Sequence, residues 1–123
     1  PAAQTSAVTT PMAAPAGGIT IASLWNQRKA LAGKPVTIHG VVVKYNAGIL
    51  GVNWIHLQDG TGKAADGSND VTVTATQDPG IKLGDTVVAT GTVVLDKNIG
   101  SGYAYPVLVE NARISAVGKT AGS

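Results

Sequence analysis

Cysteine and phenylalanine are absent from this chain, and methionine occurs once, at Met12. Without cysteine there can be no disulfide, no thiolate metal site and no cysteine nucleophile. Charge is scarce as well. Charged residues make up 13% of the chain, nine Lys and Arg against seven Asp and Glu, for a formal net charge of +2. That excess is too small to serve by itself as an electrostatic footprint for a polyanion. No apolar run approaches the roughly 20 residues that span a bilayer. The chain has no His-Glu-x-x-His, no Gly-x-Ser-x-Gly and no Walker loop, and its histidines are His39 and His56 alone. On those grounds no enzymatic activity and no cofactor are expected.

What the chain does have is glycine, 16 of its 123 residues, in a background of Thr, Val and Ala. β-Branched side chains suit a pleated surface and glycines serve turns and bulges, so the composition predicts a sheet protein of one domain. Residues 1–18 form an uncharged arm rich in Ala, Thr and Pro, in which Thr5, Ser6, Ala7, Val8, Thr9 and Thr10 are the one piece with strand character. Ile19 to Ala32 reads as a helix, with Thr20 or Ser23 as its cap and an apolar stripe of Ile21, Leu24, Trp25 and Leu31. Gly33 and Pro35 stop it.

Five strands follow. The first is Val36 to Tyr45, with Val36, Ile38, Gly40 and Val42 inward, and Asn46-Ala47-Gly48 is read as the turn after it. In the second, Asn53-Trp54-Ile55-His56-Leu57-Gln58, period-two alternation puts Ile55 and Leu57 on one face and Trp54, His56 and Gln58 on the other. Asp59-Gly60 ends that strand. The third is Val71 to Thr76, the fourth Thr86 to Leu95 with Val87, Ala89, Gly91 and Val93 inward, and the fifth Tyr103 to Ile114. Gly40 and Gly91 fall where a strand must coil sharply. Gln77 to Asp85 is too short for a helix, so the helix before the first strand is expected to plug the structure.

A hydrophobic strand closing in Leu57-Gln58-Asp59-Gly60-Thr61-Gly62, preceded by Val36-Thr37-Ile38-His39-Gly40-Val41-Val42, resembles the first two strands of an OB-fold, and specifically the small OB-fold domains of secreted and periplasmic bacterial proteins. The resemblance covers about residues 19–115. It implies a five-stranded Greek-key barrel with an N-terminal helix, an extended arm over residues 1–18 and a tail over 116–123. Together with the low-charge leader it also implies an exported protein, extracellular or periplasmic.

Two functional expectations follow. Val41, Val43, Val88, Val94 and Leu108 alternate onto the outer face, and outward apolar strand positions call for a contact partner. The favoured reading is therefore a secreted structural subunit whose partners are copies of itself, with Thr5–Thr10 adding to a neighbouring barrel in filament fashion. The alternative is a binding module for single-stranded nucleic acid or an oligosaccharide on the OB-fold ligand face. That face would comprise Trp54, His56, Gln58, Thr72 and Thr74, with Tyr45 and Tyr103 from the flanking loops. A weaker candidate is a calcium loop at Asp66, Ser68 and Asp70, which lacks the glycine and bidentate Glu of such loops. His39 and His56 could form a cross-strand pair, although a third metal ligand is missing.

Overall fold

The computed structural model describes residues 3–4, 8–100 and 103–117, the side chains of 3, 4 and 103 excepted. Its elements are β1 (Ala3–Gln4), α1 (Ile21–Asn26), α2 (Arg28–Leu31), β2 (Pro35–Ile49), β3 (Val52–Gln58), a 3-10 turn (Ala64–Asp66), β4 (Val71–Ala75), β5 (Thr86–Gly100) and β6 (Tyr103–Ala116).

β2 carries the architecture. Its first half, Pro35–Val41, pairs antiparallel with β5, and its second half, Val41–Ile49, pairs antiparallel with β3. β3 pairs with β4, β4 runs parallel to β6 at Thr72–Leu108 and Val73–Val109, and β6 returns to β5. Five strands thus close in a ring, in the order β2-β3-β4-β6-β5 and back to β2. The change of partner on β2 falls beside Gly40, where a Cβ would stand 2.8 Å from the Gln58 carbonyl oxygen. Gly91 on β5 plays the same part against the Glu110 carbonyl, at 2.7 Å. Only a residue without a side chain lets the strands approach this closely at the bend.

The inner face is the one the alternation predicts. Ile38, Val42, Ile55, Leu57, Val73, Val87, Ala89 and Val93 have no exposure at all. Ile21 and Leu24 of α1 join the same cluster, fully buried. The expected helix over Ile19–Ala32 is broken at Gln27, whose backbone turns to φ −103° and ψ 13°. Thr20 caps it as expected, its Oγ1 accepting the Ser23 N–H. The Arg28 guanidinium donates to the Trp25 carbonyl at 2.8 Å, at the break. No helix interrupts Gln77 to Asp85.

The outer face departs from expectation. Val43 and Leu108 are buried, and Val41, Val88 and Val94 are half-buried. The large apolar side chains that do meet solvent among the described residues are Ile49, Leu50 and Val117. Both hairpins also extend further than their composition suggests. β2 continues through Asn46-Ala47-Gly48, and β5 runs through Asn98 to Gly100.

Candidate functional site

The β2–β3 hairpin turns at Leu50-Gly51, between the paired residues Ile49 and Val52. Both turn residues have positive φ, 55° and 80°. This is the two-residue turn whose twist matches its flanking strands. Asn53 Oδ1 accepts the Gly48 N–H at 3.1 Å, and a register shift between Asn46 and Ile49 absorbs the segment read as a turn. A second long hairpin, β5–β6, pairs out to Gly100 and Tyr103.

Between the two hairpin ends lies a cleft of about 390 Å³, lined by Lys44, Asn46, Ile49, Trp54, Ile99 and Tyr105, with His56 at its edge. Trp54 is pinned there. Its Nε1–H donates to the Ile49 carbonyl at 2.7 Å, and its ring stacks on Tyr105 with centroids 5.4 Å apart and planes at 22°. Trp54 is consequently 6% exposed, not the open stacking surface that alternation predicts. Tyr105, half-buried, is the aromatic nearer to solvent.

His56 and Tyr105 also line a second cleft, bordered by Trp25, Asp66, Asp70 and Thr72. Trp25 Nε1–H donates to the Asp70 carbonyl at 2.8 Å, and the Arg28 guanidinium lies 5.9 Å from the Trp25 ring. Around His56 the polar groups form a chain. Asp70 Oδ1 is 2.8 Å from His56 Nδ1, and Asp70 Oδ2 accepts from Gln58 Nε2 at 2.8 Å. Gln58 Oε1 in turn accepts the Val8 N–H at 2.9 Å. The groove is thereby tied to the N-terminal arm through side chains of β3 and one loop.

The other expected ligand-face residues lie elsewhere. Gln58 at the end of β3 is buried, and so are Thr72 and Thr74, since every residue of β4 is buried and both of its faces are covered. Thr74 Oγ1 accepts the Asn111 N–H at 3.3 Å. Tyr45 packs against the core, and its hydroxyl donates to Asp78 Oδ1 at 3.2 Å. Burial, then the Asp78 hydrogen bond and charge, raise its pKa above the ordinary tyrosine value. The Tyr103 side chain lies outside the described residues. Lys44, Asn46, Ile99 and Tyr105 escaped the sequence reading. The one signal for them was Tyr103-Ala104-Tyr105, whose spacing puts both tyrosines on one strand face.

The residues of the candidate calcium loop are engaged with their neighbours. Asp66 Oδ1 accepts from the Ser68 hydroxyl and the Ser68 N–H, and those bonds hold its carboxyl below the usual range. Asp70 is committed to His56 and Gln58. Among the described residues no three His, Asp or Glu side chains gather as a metal site. His39 is opposite Val88 and His56 opposite Lys44, so the two histidines are not a pair.

Asp59 proves to be the structural hub. It is 1% exposed. Oδ2 accepts the Ile21 N–H at 2.9 Å, while Oδ1 accepts the Thr61 N–H at 3.0 Å and the Thr61 hydroxyl. Its carbonyl accepts the Met12 N–H at 2.7 Å. Beside it, Gly60 is in the left-handed region at φ 80°, and a Cβ there would collide with the Thr10 carbonyl of the arm. The arm therefore lies along its own ring. β1 adds to β2 at Ala3–Tyr45 and Gln4–Lys44, and Thr9 and Thr10 are exposed. Thr5, Ser6 and Ala7 fall outside the described residues.

No protein-family model matches the chain, and no curated protein matches it significantly. Among the described residues no helix is long and apolar enough to cross a membrane.

Proposed function

We propose that the protein is a non-enzymatic binding module of OB-fold type, whose ligand occupies the groove between the β2–β3 and β5–β6 hairpin ends. The ring of five strands, with β4 parallel to β6 and β2 closing on β5, supports that reading. The observation that carries the reading is the cleft itself: the stacked pair Trp54 and Tyr105 lines it, Trp54 held by its hydrogen bond to Ile49, and the solvent-exposed Ile49 lines it too, with the exposed Leu50 next in the chain. An aromatic pair fixed by a hydrogen bond loses little freedom when a flat ring is laid beside it. Exposed apolar side chains beside such a cleft are what a contact surface requires.

The test is tryptophan emission from a Trp25→Phe protein, which leaves Trp54 as the reporter. A panel of single-stranded oligonucleotides and neutral hexasaccharides should contain a member that changes the emission saturably, and Ile99→Ala should weaken that response. A flat response to the whole panel removes the reading.

Self-assembly through the arm is the second reading, and β1 favours it. Two residues adding to an open stretch of β2 is a contact that another copy could supply identically by exchanging arms. Light scattering on the full chain checks this. A strictly monomeric mass at all concentrations speaks against it.

A further inference from the structure

We infer that the N-terminal arm is an exchangeable strap: Ala3, Gln4 and residues 8–12 seat on the ring of a second copy of this chain, and the turn over residues 15–18 is the hinge that opens to release them. The inference rests on the self-assembly reading and gives it a seat and a hinge.

The seat is built almost wholly from main chain. β1 pairs with β2 at Ala3–Tyr45 and Gln4–Lys44. The Asp59 carbonyl accepts the Met12 N–H at 2.7 Å, and Gln58 Oε1 accepts the Val8 N–H at 2.9 Å. At Gly60 the arm lies against bare backbone, since a Cβ there would stand 2.1 Å from the Thr10 carbonyl oxygen. Each of these contacts reads the path of the arm, and none reads which chain it belongs to. Residues 8–18 contribute no buried side chain: Val8, Met12, Pro15 and Gly18 are half-buried and the rest exposed. Release therefore breaks a few hydrogen bonds and withdraws nothing from the core, which puts the arm at the low-stability end of the molecule.

The hinge is equally local. The Ile19 N–H donates to the Thr37 carbonyl at 2.9 Å, so the chain is fixed to the ring from that point on. Just before it, the Gly18 N–H donates to the Pro15 carbonyl at 2.9 Å and Gly17 takes φ 71°, as the third residue of a type II turn does. Nothing lies within 4 Å of a Cβ at Gly17, so the backbone angle alone holds that position to glycine. Opening this one turn frees the arm to reach a neighbour with every seat contact kept. That is the condition under which exchange of an identical element is a low-cost route to a dimer. Residues 1–18 carry no charged side chain, so the arm adds no repulsion between copies.

The acceptor edge is unfinished as well. β1 covers two residues of β2, and among the described residues the same edge runs on from Asn46 to Ile49 without a ladder partner. Ile49 and the Leu50 that follows it are exposed there. An open strand end of this kind is where a further chain adds.

Because the chain has no cysteine, one introduced pair reports on the arm. Gln4 and Lys44 are directly paired, and Cα atoms so placed lie about 4.5 to 5.5 Å apart, within disulfide reach. The Gln4→Cys/Lys44→Cys double variant of the whole chain is equilibrated at rising concentration, oxidised, and resolved on a non-reducing gel with peptide mapping of the bands. Exchange gives covalent dimers or longer species joined from position 4 of one chain to position 44 of another, in a fraction that grows with concentration. Adding Gly17→Val, which strains the closed turn alone, should raise that fraction about tenfold. Gly33→Val is the control, with a similar φ of 79° and equally open surroundings but outside the arm and its turn. An equal rise in both variants assigns the effect to lost stability and removes the hinge. Linkage only within single chains at every concentration overturns the inference. If light scattering then still finds the unsubstituted chain self-associated, the self-assembly reading stands on another surface. If it finds monomers throughout, that reading falls too.

Discussion

Trp54 and Tyr105 stack across the groove with centroids 5.4 Å apart, one ring from the second strand of the closed ring and the other from the last. Their sequence separation is large, so the pair reports whether the β5–β6 hairpin is in place over β3. Tyr105→Ala should expose Trp54. The expected outcomes are a red-shifted emission in the Trp25→Phe background and a loss of about 2 kcal/mol, from a half-buried aromatic and its stacking partner. Urea unfolding measures the second. An unshifted emission maximum would mean that Trp54 is shielded by something other than Tyr105. Trp54→Ala is a poor probe of binding, because removing so buried a ring costs on the order of 4 kcal/mol by itself.

Asp59 makes a different demand. Its carboxylate collects donors from the start of α1 and from the Asp-Gly-Thr turn, and both oxygens are used. Asp59→Ala leaves the buried Ile21 N–H without an acceptor and should cost about 3 kcal/mol in urea unfolding. Asp59→Asn keeps one acceptor oxygen and turns an amide toward a donor, so it should recover only part of that. Full stability in Asp59→Asn would show that the charge is irrelevant and only one oxygen matters.

Much of the inner architecture is legible in the sequence, for a local reason. Alternation places Ile38, Val42, Ile55, Leu57, Val73, Val87 and Val93 on one side of their strands whatever the remainder of the chain does, and all seven are buried. Gly40 and Gly91 mark the bends because the facing carbonyls leave no room for a Cβ. The outer face is different. Whether Trp54, Thr72 and Thr74 meet water depends on where β6 and the long β5–β6 hairpin lie, a contact between segments about 35 to 50 residues apart in sequence. Alternation assigns a side, not a cover. That is why the expected ligand face proved largely buried, and why the groove formed instead from Lys44, Asn46, Ile99 and Tyr105 at the hairpin ends.

Tyr45 makes the alkaline limb of stability predictable. Burial and the neighbouring Asp78 raise its pKa in the folded chain above the ordinary value of about 10. Below that ordinary value both folded and unfolded chains keep the phenolic proton, and the contribution is fully present. Above it the unfolded chain releases its proton first, so stability falls as pH rises through the folded value. Tyr45→Phe should flatten this limb, measured as urea midpoints from pH 9 to pH 12. The spectrophotometric titration of the wild-type chain near 295 nm should show one late-ionising tyrosine that the variant lacks. An equal alkaline decline in both proteins would assign it to other groups.

Leu50 combines two properties that folding alone does not favour. It stands in the left-handed region at φ 55°, and its side chain is 68% exposed. A leucine there costs roughly 1 kcal/mol in backbone strain, which asparagine, the usual first residue of this turn before glycine, largely avoids. Nothing in the ring repays that cost, since the side chain meets solvent. A contact with a ligand that reached from the groove past Ile49 to the turn would. Leu50→Asn should therefore raise the urea midpoint by an amount equivalent to about 1 kcal/mol, while weakening the saturable Trp54 response to whichever probe binds. The opposed directions are the signature: greater stability with unchanged affinity would leave Leu50 as an unoptimised turn residue, and lower stability would mean that its side chain packs against the hairpin after all.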